Sequence, residues 1–158
     1  MLDLLYNDGK QSFDWNERCQ GGCAVLQTER FVIRPYSDAD QARMIELLTD
    51  ESIKETFIIP DYTTLAEAAT MSEKLKCFSY TDEHYEKGIY ADSKLRGFVN
   101  DVGVKGVSIE IGYVIHPGYQ NNGFATEALS AVIDDLFRKG YWEVRGRPHS
   151  LAMLRAAA

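Results

Sequence analysis

The chain has 158 residues, 45% apolar and 26% charged, a composition typical of one globular domain with a sizeable core. Its formal net charge is -7 and it has no run of Lys or Arg, which disfavours nucleic-acid binding because affinity for phosphate backbones depends on clustered cations. No apolar stretch reaches the roughly 20 residues that a membrane helix needs, so we expect no membrane partner.

The amino-terminal segment, residues 1–24, shows no hydrophobic periodicity, so we predict an extension followed by a domain at residues 25–158. It lacks the basic start of a signal peptide. The odd number of cysteines then favours reduced thiols in a cytoplasmic protein, and their spacing completes no zinc site. The three cysteines are Cys19, Cys23 and Cys77.

The first half of the domain predicts one strand and two helices. The strand covers residues 25–36, where apolar residues alternate before Pro35. A helix should follow over residues 37–50, with Ser37 or Asp38 as its N-cap and an apolar side at Ala42, Ile45 and Leu48. After a connection that Pro60 stops, a second helix should run from Leu65 to about Phe78. Its expected apolar residues are Leu65, Ala68, Ala69, Met71 and Leu75.

The second half predicts a hairpin, a long strand, a helix and another strand. Two short strands, residues 88–91 and 95–99, should be joined by the turn at residues 92–94. Residues 107–116 alternate with a period of two until Pro117, which indicates a half-buried strand. Apolar residues recur with a helical period from Ala125 until a C-cap signal at Lys139–Gly140, and "YWEVRG" (141–146) resembles a strand. Strand, loop, helix and strand imply a right-handed crossover between parallel strands.

The loop before this last helix, "QNNGFAT" (residues 120–126), has two interpretations. Asn122-Gly123 suits a hairpin turn, but the residues that follow have a period of 3.6 rather than two. The loop therefore leads into a helix N-terminus, where free amides and the helix dipole favour a phosphate or pyrophosphate. Gly123 allows a close backbone approach, Ala125 keeps the first turn small, and Thr126 offers a hydroxyl.

Two common nucleotide loops are excluded. A Walker loop would need Lys where Phe124 stands, and Gly-x-Gly-x-x-Gly follows no predicted strand. The remaining pattern, Gln-x-x-Gly-x-Ala, resembles the acetyl-CoA loop of the GNAT N-acetyltransferase superfamily. "LQTERFVIRP" (26–35) and "EIGYVIHPGYQNNGFATEAL" (110–129) resemble the branch that acetylates ribosomal-protein and other α-amino groups, the RimJ/RimL-like branch.

That resemblance implies an α/β (α+β) fold with a mixed, mostly antiparallel central sheet flanked by helices. It also implies acetyl-CoA as co-substrate, no metal, and an amine or peptide N-terminus as acceptor. The residues implied to line the pantetheine arm are Tyr113, Val114 and Ile115, and those implied to form the diphosphate loop are Gln120, Asn121, Asn122, Gly123, Phe124, Ala125 and Thr126.

Glu110 is the candidate general base, since the attacking amine must be neutral and family members often place a carboxylate on this strand. An equally acceptable interpretation is a solvated Glu on the open face of a sheet. Histidine is a common proton carrier, which makes His116 and His84 candidates, but both fit loop positions better, and Tyr119 either contacts ligand or packs the turn. Ser150 is a poor substitute for the residue that protonates the CoA thiolate in the family.

The carboxyl-terminal end departs from the family pattern. GNAT domains continue after the fifth strand into a helix and two more strands, whereas "HSLAML" (149–154) resembles only the start of that helix, so we expect the last strands to be lacking. An exposed sheet edge would favour a homodimer. The predicted function is N-acetyl transfer from acetyl-CoA to a primary amine. The alternatives are a non-catalytic acyl-CoA-binding or oligomerising module and a remnant that binds nothing.

Overall fold

The structure is a computed structural model that describes residues 25–56, 62–120 and 123–146, together with the backbone of 154–155. Its strands are β1 (Leu26–Gln27), β2 (Val32–Arg34), β3 (Glu86–Ala91), β4 (Lys94–Lys105), β5 (Ser108–Ile115), β6 (Glu143–Gly146) and β7 (Leu154–Arg155). Its helices are α1 (Gln41–Thr49), α2 (Glu51–Thr56), α3 (Leu65–Ser79) and α4 (Phe124–Arg138), with 3-10 turns at Asp38–Asp40 and Pro117–Tyr119.

The seven strands form one sheet in chain order, with every neighbouring pair antiparallel except β5 and β6. That one parallel pair is connected through α4, because parallel neighbours need a crossover connection. The predicted fold class, a mixed and mostly antiparallel sheet flanked by helices, is therefore confirmed. The predicted parallel relation of the last two long strands is confirmed as well.

Helices cover both faces of this sheet, which gives two hydrophobic cores. On what we call the α4 face, Ile109 and Ile111 of β5 pack with Leu129 and Val132 of α4. On the opposite α1 face, Val114 packs in the cluster that contains Leu47 of α1 and residues of α2 and α3. Because successive strand residues point to opposite faces, the period-two pattern of β5 supplies both cores at once.

The segment 25–36 is a hairpin rather than the single predicted strand. β1 and β2 pair antiparallel, and the chain turns between them at Thr28–Phe31. The amide of Thr28 donates to the carbonyl of Phe31 at 2.9 Å, and the amide of Phe31 donates to the Thr28 hydroxyl oxygen at 3.0 Å. Thr28 therefore closes the turn, a role that its place inside a β-prone run did not reveal.

The predicted first helix exists with a different buried side. Ala42 is exposed and Ile45 is half-buried, whereas Met44, Leu47 and Leu48 are buried. The chain begins here with a 3-10 turn, in which the amide of Ser37 donates to the Asp40 carboxylate at 2.7 Å. Met44, Leu47 and Leu48 are spaced i, i+3 and i+4, so the buried side is turned from the predicted one and shares only Leu48 with it.

Between the two predicted helices, part of the expected connection is helical. Residues Glu51–Thr56 form α2, where Asp50 accepts a hydrogen bond from the amide of Ile53 at 3.1 Å. α3 matches its predicted bounds within one residue, but Leu65 is exposed at its first position. The amide of Glu67 donates to the Thr64 hydroxyl, and this cap places Leu65 on the solvent side of the first turn.

The predicted hairpin is longer than expected, since β3 begins at Glu86 and β4 continues to Lys105. Its turn at Asp92–Ser93 has both residues at positive φ, 52° and 60°, as a two-residue hairpin turn with the sheet's twist requires. α4 and β6 are confirmed near their predicted positions, and Gly140 has a φ of 101° just beyond the helix, as the C-cap signal indicated.

A strand that the sequence did not predict lies at the far edge. β7 pairs antiparallel with β6 through Glu143↔Arg155 and Val144↔Leu154. The expectation that no strand follows β6 is therefore wrong, and β7 covers half of the edge through which we expected dimerisation. The helix start expected from His149 and its neighbours, as well as the extension 1–24, lies outside the described residues.

Candidate active site

The central feature of the site is the point at which the pairing between β5 and β6 ends. The two strands pair from Ser108↔Glu143 to Ile111↔Gly146 and no further. Among the residues that the structure describes, Gly112–Ile115 therefore have no strand partner on their β6 side, while their other side remains paired with β4. Unpaired strand amides and carbonyls offer hydrogen bonds to an extended ligand.

The stretch of β5 beyond the end of its pairing with β6 is called here the opening of the sheet. The three β5 residues predicted to line a pantetheine arm lie in it. Val114 is buried on the α1 face, Ile115 is buried on the α4 face, and Tyr113 is half-buried beside the α4 core. Burial raises the pKa of the Tyr113 phenol. Since the side chains of Val114 and Ile115 serve the two cores, the groups that these residues present to a ligand are those of the main chain.

Close packing of β4 against β5 fixes the far wall of the opening. Gly97 lies opposite Ile115, and a Cβ on Gly97 would meet the carbonyl oxygen of Val114 at 2.1 Å. No real side chain tolerates such a distance, so only glycine permits this approach. The amide of His116 completes the contact by donating to the carbonyl of Arg96 at 2.6 Å.

The predicted anion loop leads into α4 as expected, not into a hairpin strand. Gly123 has a φ of 72°, in the left-handed region, and precedes the first helical residue. The first intrahelical bond runs from the amide of Glu127 to the carbonyl of Gly123, so the amides of Phe124, Ala125 and Thr126 belong to the first turn, which has no intrahelical acceptors. Asn121 and Asn122 lie outside the described residues.

The start of the loop is tied to the end of β5. The side-chain amide of Gln120 donates to the carbonyl of Ile115 at 3.0 Å, which draws the two predicted ligand-binding segments together. Tyr119 packs between the ring of Phe124, 5.6 Å away between centroids, and the guanidinium of Arg96, 4.4 Å from the Tyr119 ring centroid. Tyr119 therefore packs the turn, as one of its two interpretations held.

A clamp that sequence reasoning missed joins the β1–β2 hairpin to the first turn of α4. The carboxylate of Glu127 accepts from the Thr28 hydroxyl at 2.6 Å, from the Arg30 amide at 2.8 Å and from Nε of Arg30 at 2.5 Å. These bonds hold the pKa of Glu127 below its ordinary value, with the Thr28 bond as the largest cause. The residues of the clamp stand in "TER" (28–30) and "FATEA" (124–128), two segments far apart in the chain that no local pattern connects.

The clamp brings a cation to the loop. The guanidinium of Arg30 lies 4.2 Å from the centroid of the Phe124 ring, and one of its terminal nitrogens is 3.8 Å from where a Cβ of Gly123 would be. The guanidinium is paired with the carboxylate of Glu127, and its terminal nitrogen on the Gly123 side places hydrogen-bond donors beside the first turn of α4. This is favourable for a phosphate group.

Glu110, the candidate base, lies on the α1 face of β5, since it alternates with the α4-face residues Ile109 and Ile111. It stands one residue pair before the ladder with β6 ends, opposite Arg145 of β6. The pKa of Arg145 is raised, chiefly by the neighbouring Glu143 and less by Glu110. Glu110 is half-buried and two residues from Gly112, the first residue beyond the ladder.

Both histidines have structural partners. Nδ1 of His116 accepts from the amide of Gly118 at 3.1 Å, so in the neutral ring Nε2 carries the proton and donates to Glu46, 3.2 Å away. His84 lies against Phe78, with ring centroids 4.3 Å apart, and its Nδ1 is 3.4 Å from the carboxylate of Asp101. These contacts fit the loop interpretation of the two residues better than proton transfer.

A buried polar group lies further along the same face of the sheet. Glu86 of β3 is only 3% exposed, and its carboxyl accepts from the Tyr36 hydroxyl at 2.5 Å. Burial raises the pKa of Glu86 well above its ordinary value, with the charge of Asp101 adding to the effect. The pKa of Tyr36 is raised as well, first by burial and then by Glu86.

The described residues offer neither a metal site nor a membrane-spanning helix. They contain no group of three or more His, Cys, Asp or Glu side chains arranged to hold a metal ion. None of their helices has the length and apolar character needed to cross a bilayer. Cys77 is a half-buried free thiol on α3, whose pKa burial raises, and Cys19 and Cys23 lie outside the described residues.

The comparisons with known proteins agree with this geometry. Residues 30–153 match the family described as "Acetyltransferase (GNAT) domain". No curated protein matches the chain in sequence. The solved structures that resemble it share its fold at low sequence identity.

Three of these solved structures illustrate the likeness. A GNAT-family acetyltransferase from Bacillus anthracis has a TM-score of 0.65 at 20% identity, over 78% of this chain and 72% of that one. An acetyltransferase from Salmonella typhimurium that modifies the N-terminal serine of a ribosomal subunit protein has a TM-score of 0.64 at 13% identity, over 77% and 73%. A RimL ribosomal-protein α-N-acetyltransferase in complex with coenzyme A has a TM-score of 0.64 at 12% identity, over 77% and 72%.

Proposed function

Because the chain belongs to the GNAT acetyltransferase family by its match over residues 30–153, we propose that it moves an acetyl group from acetyl-CoA to a primary amine. The observation that carries the proposal is the position of two features side by side. One is the stretch of β5 that β6 leaves unpaired, and the other is the first turn of α4 behind Gly123. Gln120 links them through its bond to Ile115.

The residues present fit acetyl-CoA. The first-turn amides of Phe124, Ala125 and Thr126, with the guanidinium of Arg30 beside them, suit a diphosphate. The edge of β5 at Tyr113–Ile115, which no strand covers on the β6 side within the described residues, suits a pantetheine arm, which would add to β5 as an extended strand. Bound acetyl-CoA would supply the activated acetyl group as a thioester.

Glu110 would act on the acceptor. It lies on the α1 face near the end of the β5–β6 ladder, and it would take a proton from the amine nitrogen. That nitrogen forms the new C–N bond while the C–S bond of the thioester breaks, and the sulfur leaves with the bonding electron pair. The strand holds Glu110 at a fixed distance from the opening, as general-base catalysis requires.

The solved structures similar to this chain support a choice of acceptor class. The RimL and Salmonella typhimurium proteins act on ribosomal-protein α-amino groups, so a peptide N-terminus is the acceptor that we propose first and a small primary amine is the second. A matched test uses peptides that begin with serine or alanine, their N-acetylated forms as blanks, and 2-phenylethylamine. Release of free CoA thiol in the presence of the free amine, and not with the blank, is the expected result.

The role of Glu110 is tested in the same assay. Glu110→Gln should lower kcat by about 10²- to 10⁴-fold while leaving the affinity for CoA within twofold, because the side chain acts on the amine. Glu51→Gln is the control, since Glu51 is 87% exposed on α2 and only pairs with Lys54. Unchanged kcat in Glu110→Gln would remove Glu110 from the mechanism.

The alternative functions give different patterns. A non-catalytic acyl-CoA-binding module would show a thermal shift with acetyl-CoA and no thiol release with any amine. A remnant would show neither, because only a ligand that binds the native state raises Tm.

A further inference from the structure

A buried polar atom without a hydrogen-bond partner lies beside the opening of the sheet. Asn100 of β4 pairs with Gly112 of β5, the first residue beyond the end of the β5–β6 ladder, and with Glu86 of β3. Residues that pair directly across a sheet present their side chains on the same face. Asn100 therefore points to the α1 face, as Glu110 does, and Gly112 places no side chain between them.

Asn100 carries a side-chain oxygen for which the fold supplies no hydrogen bond among the described residues. Its Oδ1 atom is buried, and no donor reaches it within the described residues. The groups around it are served, since the carboxyl of Glu86 accepts from Tyr36 and the carboxylate of Asp101 accepts from the amide of Tyr85 at 3.0 Å. A buried acceptor without a donor lowers the stability of the fold, and a functional role is one of the reasons for which a native protein retains such a group.

The position of Oδ1 of Asn100 suits a hydrogen bond from an amine bound near Glu110. Glu110 and Asn100 are diagonal neighbours across β5 and β4, a relation that separates their Cβ atoms by about 7–8 Å. A nitrogen between the two side chains can donate one N–H to Oδ1 of Asn100 and direct another toward Glu110. The opening of the sheet begins at Gly112, beside this position.

We infer that Asn100 binds the acceptor: its Oδ1 accepts a hydrogen bond from the amine and turns the remaining N–H toward Glu110. The inference rests on the proposed acetyl transfer and names Asn100 as the residue that selects a primary amine over a secondary one. A neutral primary amine has two N–H groups and serves both residues. A neutral secondary amine has one and leaves either Asn100 or Glu110 without its contact.

Matched substitutions separate this role from a structural one. Asn100→Val and Asn100→Thr have nearly the same shape and both suit a strand, but only threonine retains an oxygen acceptor. With an alanine-initiated peptide as acceptor, Asn100→Val should lower kcat/KM by about 10- to 100-fold, mainly by raising KM. Asn100→Thr should keep most of the wild-type kcat/KM. CoA affinity should stay within twofold in both variants.

Two further readouts distinguish positioning from folding. Tm of Asn100→Val should be equal to or above that of the wild type, because the substitution removes an unpartnered polar atom rather than a bond. The preference for alanine-initiated over N-methylalanine-initiated peptide should fall by about tenfold in Asn100→Val and persist in Asn100→Thr.

The outcomes are separable from those of the proposed function. If the wild type releases no thiol with any amine, the acetyl-transfer proposal fails and this inference with it. If the wild type is active and Asn100→Val keeps its kcat/KM and its preference for the primary amine, only the inference fails. A fall in Tm of several degrees in Asn100→Val would also overturn it, since Asn100 would then hold a structural bond.

Discussion

Removing the clamp at the start of α4 should weaken both the fold and the cofactor loop. In Glu127→Ala the carboxylate that accepts from Thr28 and twice from Arg30 is lost, and all three bonds go with it. The side chain of Glu127 is 18% exposed and that of Arg30 is 42% exposed, so water replaces part of the lost interaction. We expect a loss of about 2 kcal/mol in the free energy of unfolding.

Glu127→Gln divides this effect into its parts. Glutamine keeps one oxygen for the Thr28 hydroxyl and the Arg30 amide but loses the ion pair with the Arg30 side chain. The expected cost is therefore only about 0.5–1 kcal/mol. For a chain of 158 residues, these values correspond to a fall in Tm of about 4–8 °C for the alanine variant and about 1–4 °C for the glutamine variant.

The clamp also has a functional readout. If half of the energy lost in Glu127→Ala, about 1 kcal/mol, serves to hold the first turn of α4 in place, the Kd for CoA rises about fivefold. Urea unfolding and CoA titration of both variants, with Glu51→Gln as the exposed control, measure the two effects. Equal stability of the alanine and glutamine variants, or a CoA affinity that neither changes, would refute the reasoning.

Three other predictions follow from single positions. The pKa of Glu86 is raised in the folded state, so the stability that its protonated carboxyl contributes is present below pH 4.5 and is lost as pH rises toward the folded pKa. Glu86→Gln cannot ionise, so its stability relative to the wild type should rise by up to about 1.4 kcal/mol per pH unit above 4.5. Urea unfolding over a range of pH measures this difference. Gly123→Ala forces a residue with a side chain into the left-handed region, which costs roughly 1–2 kcal/mol. A titration should therefore show weaker CoA binding. Gly103→Ala is the control, because a Cβ at Gly103 meets no atom within 4 Å. Gly97→Ala drives a Cβ into the Val114 carbonyl and should lower the stability by about 3 kcal/mol in thermal unfolding; a Tm within two degrees of the wild type would contradict the close approach of β4 to β5.

Local pattern was sufficient for the elements that surround the loop. The period of two in β5, the period of 3.6 in α4 and the glycine after it are properties of short segments, and burial of one side of each forces the chain into those shapes. The same patterns failed where backbone hydrogen bonding overrides hydrophobic spacing. Thr28 closes a turn within a β-prone run, and the Asp40 carboxylate closes a 3-10 turn before α1 by accepting from the amide of Ser37.

The candidate site divides in the same way. The sequence by itself determined a glycine-containing loop ahead of an amphipathic helix, because turn residues and helical period are properties of a short segment. Only the tertiary structure decided that Arg30 stands beside Gly123, and that Asn100 faces the end of the β5–β6 ladder. Those contacts join residues far apart in the chain, and their register depends on how whole strands pair and helices pack, which no short window of sequence specifies.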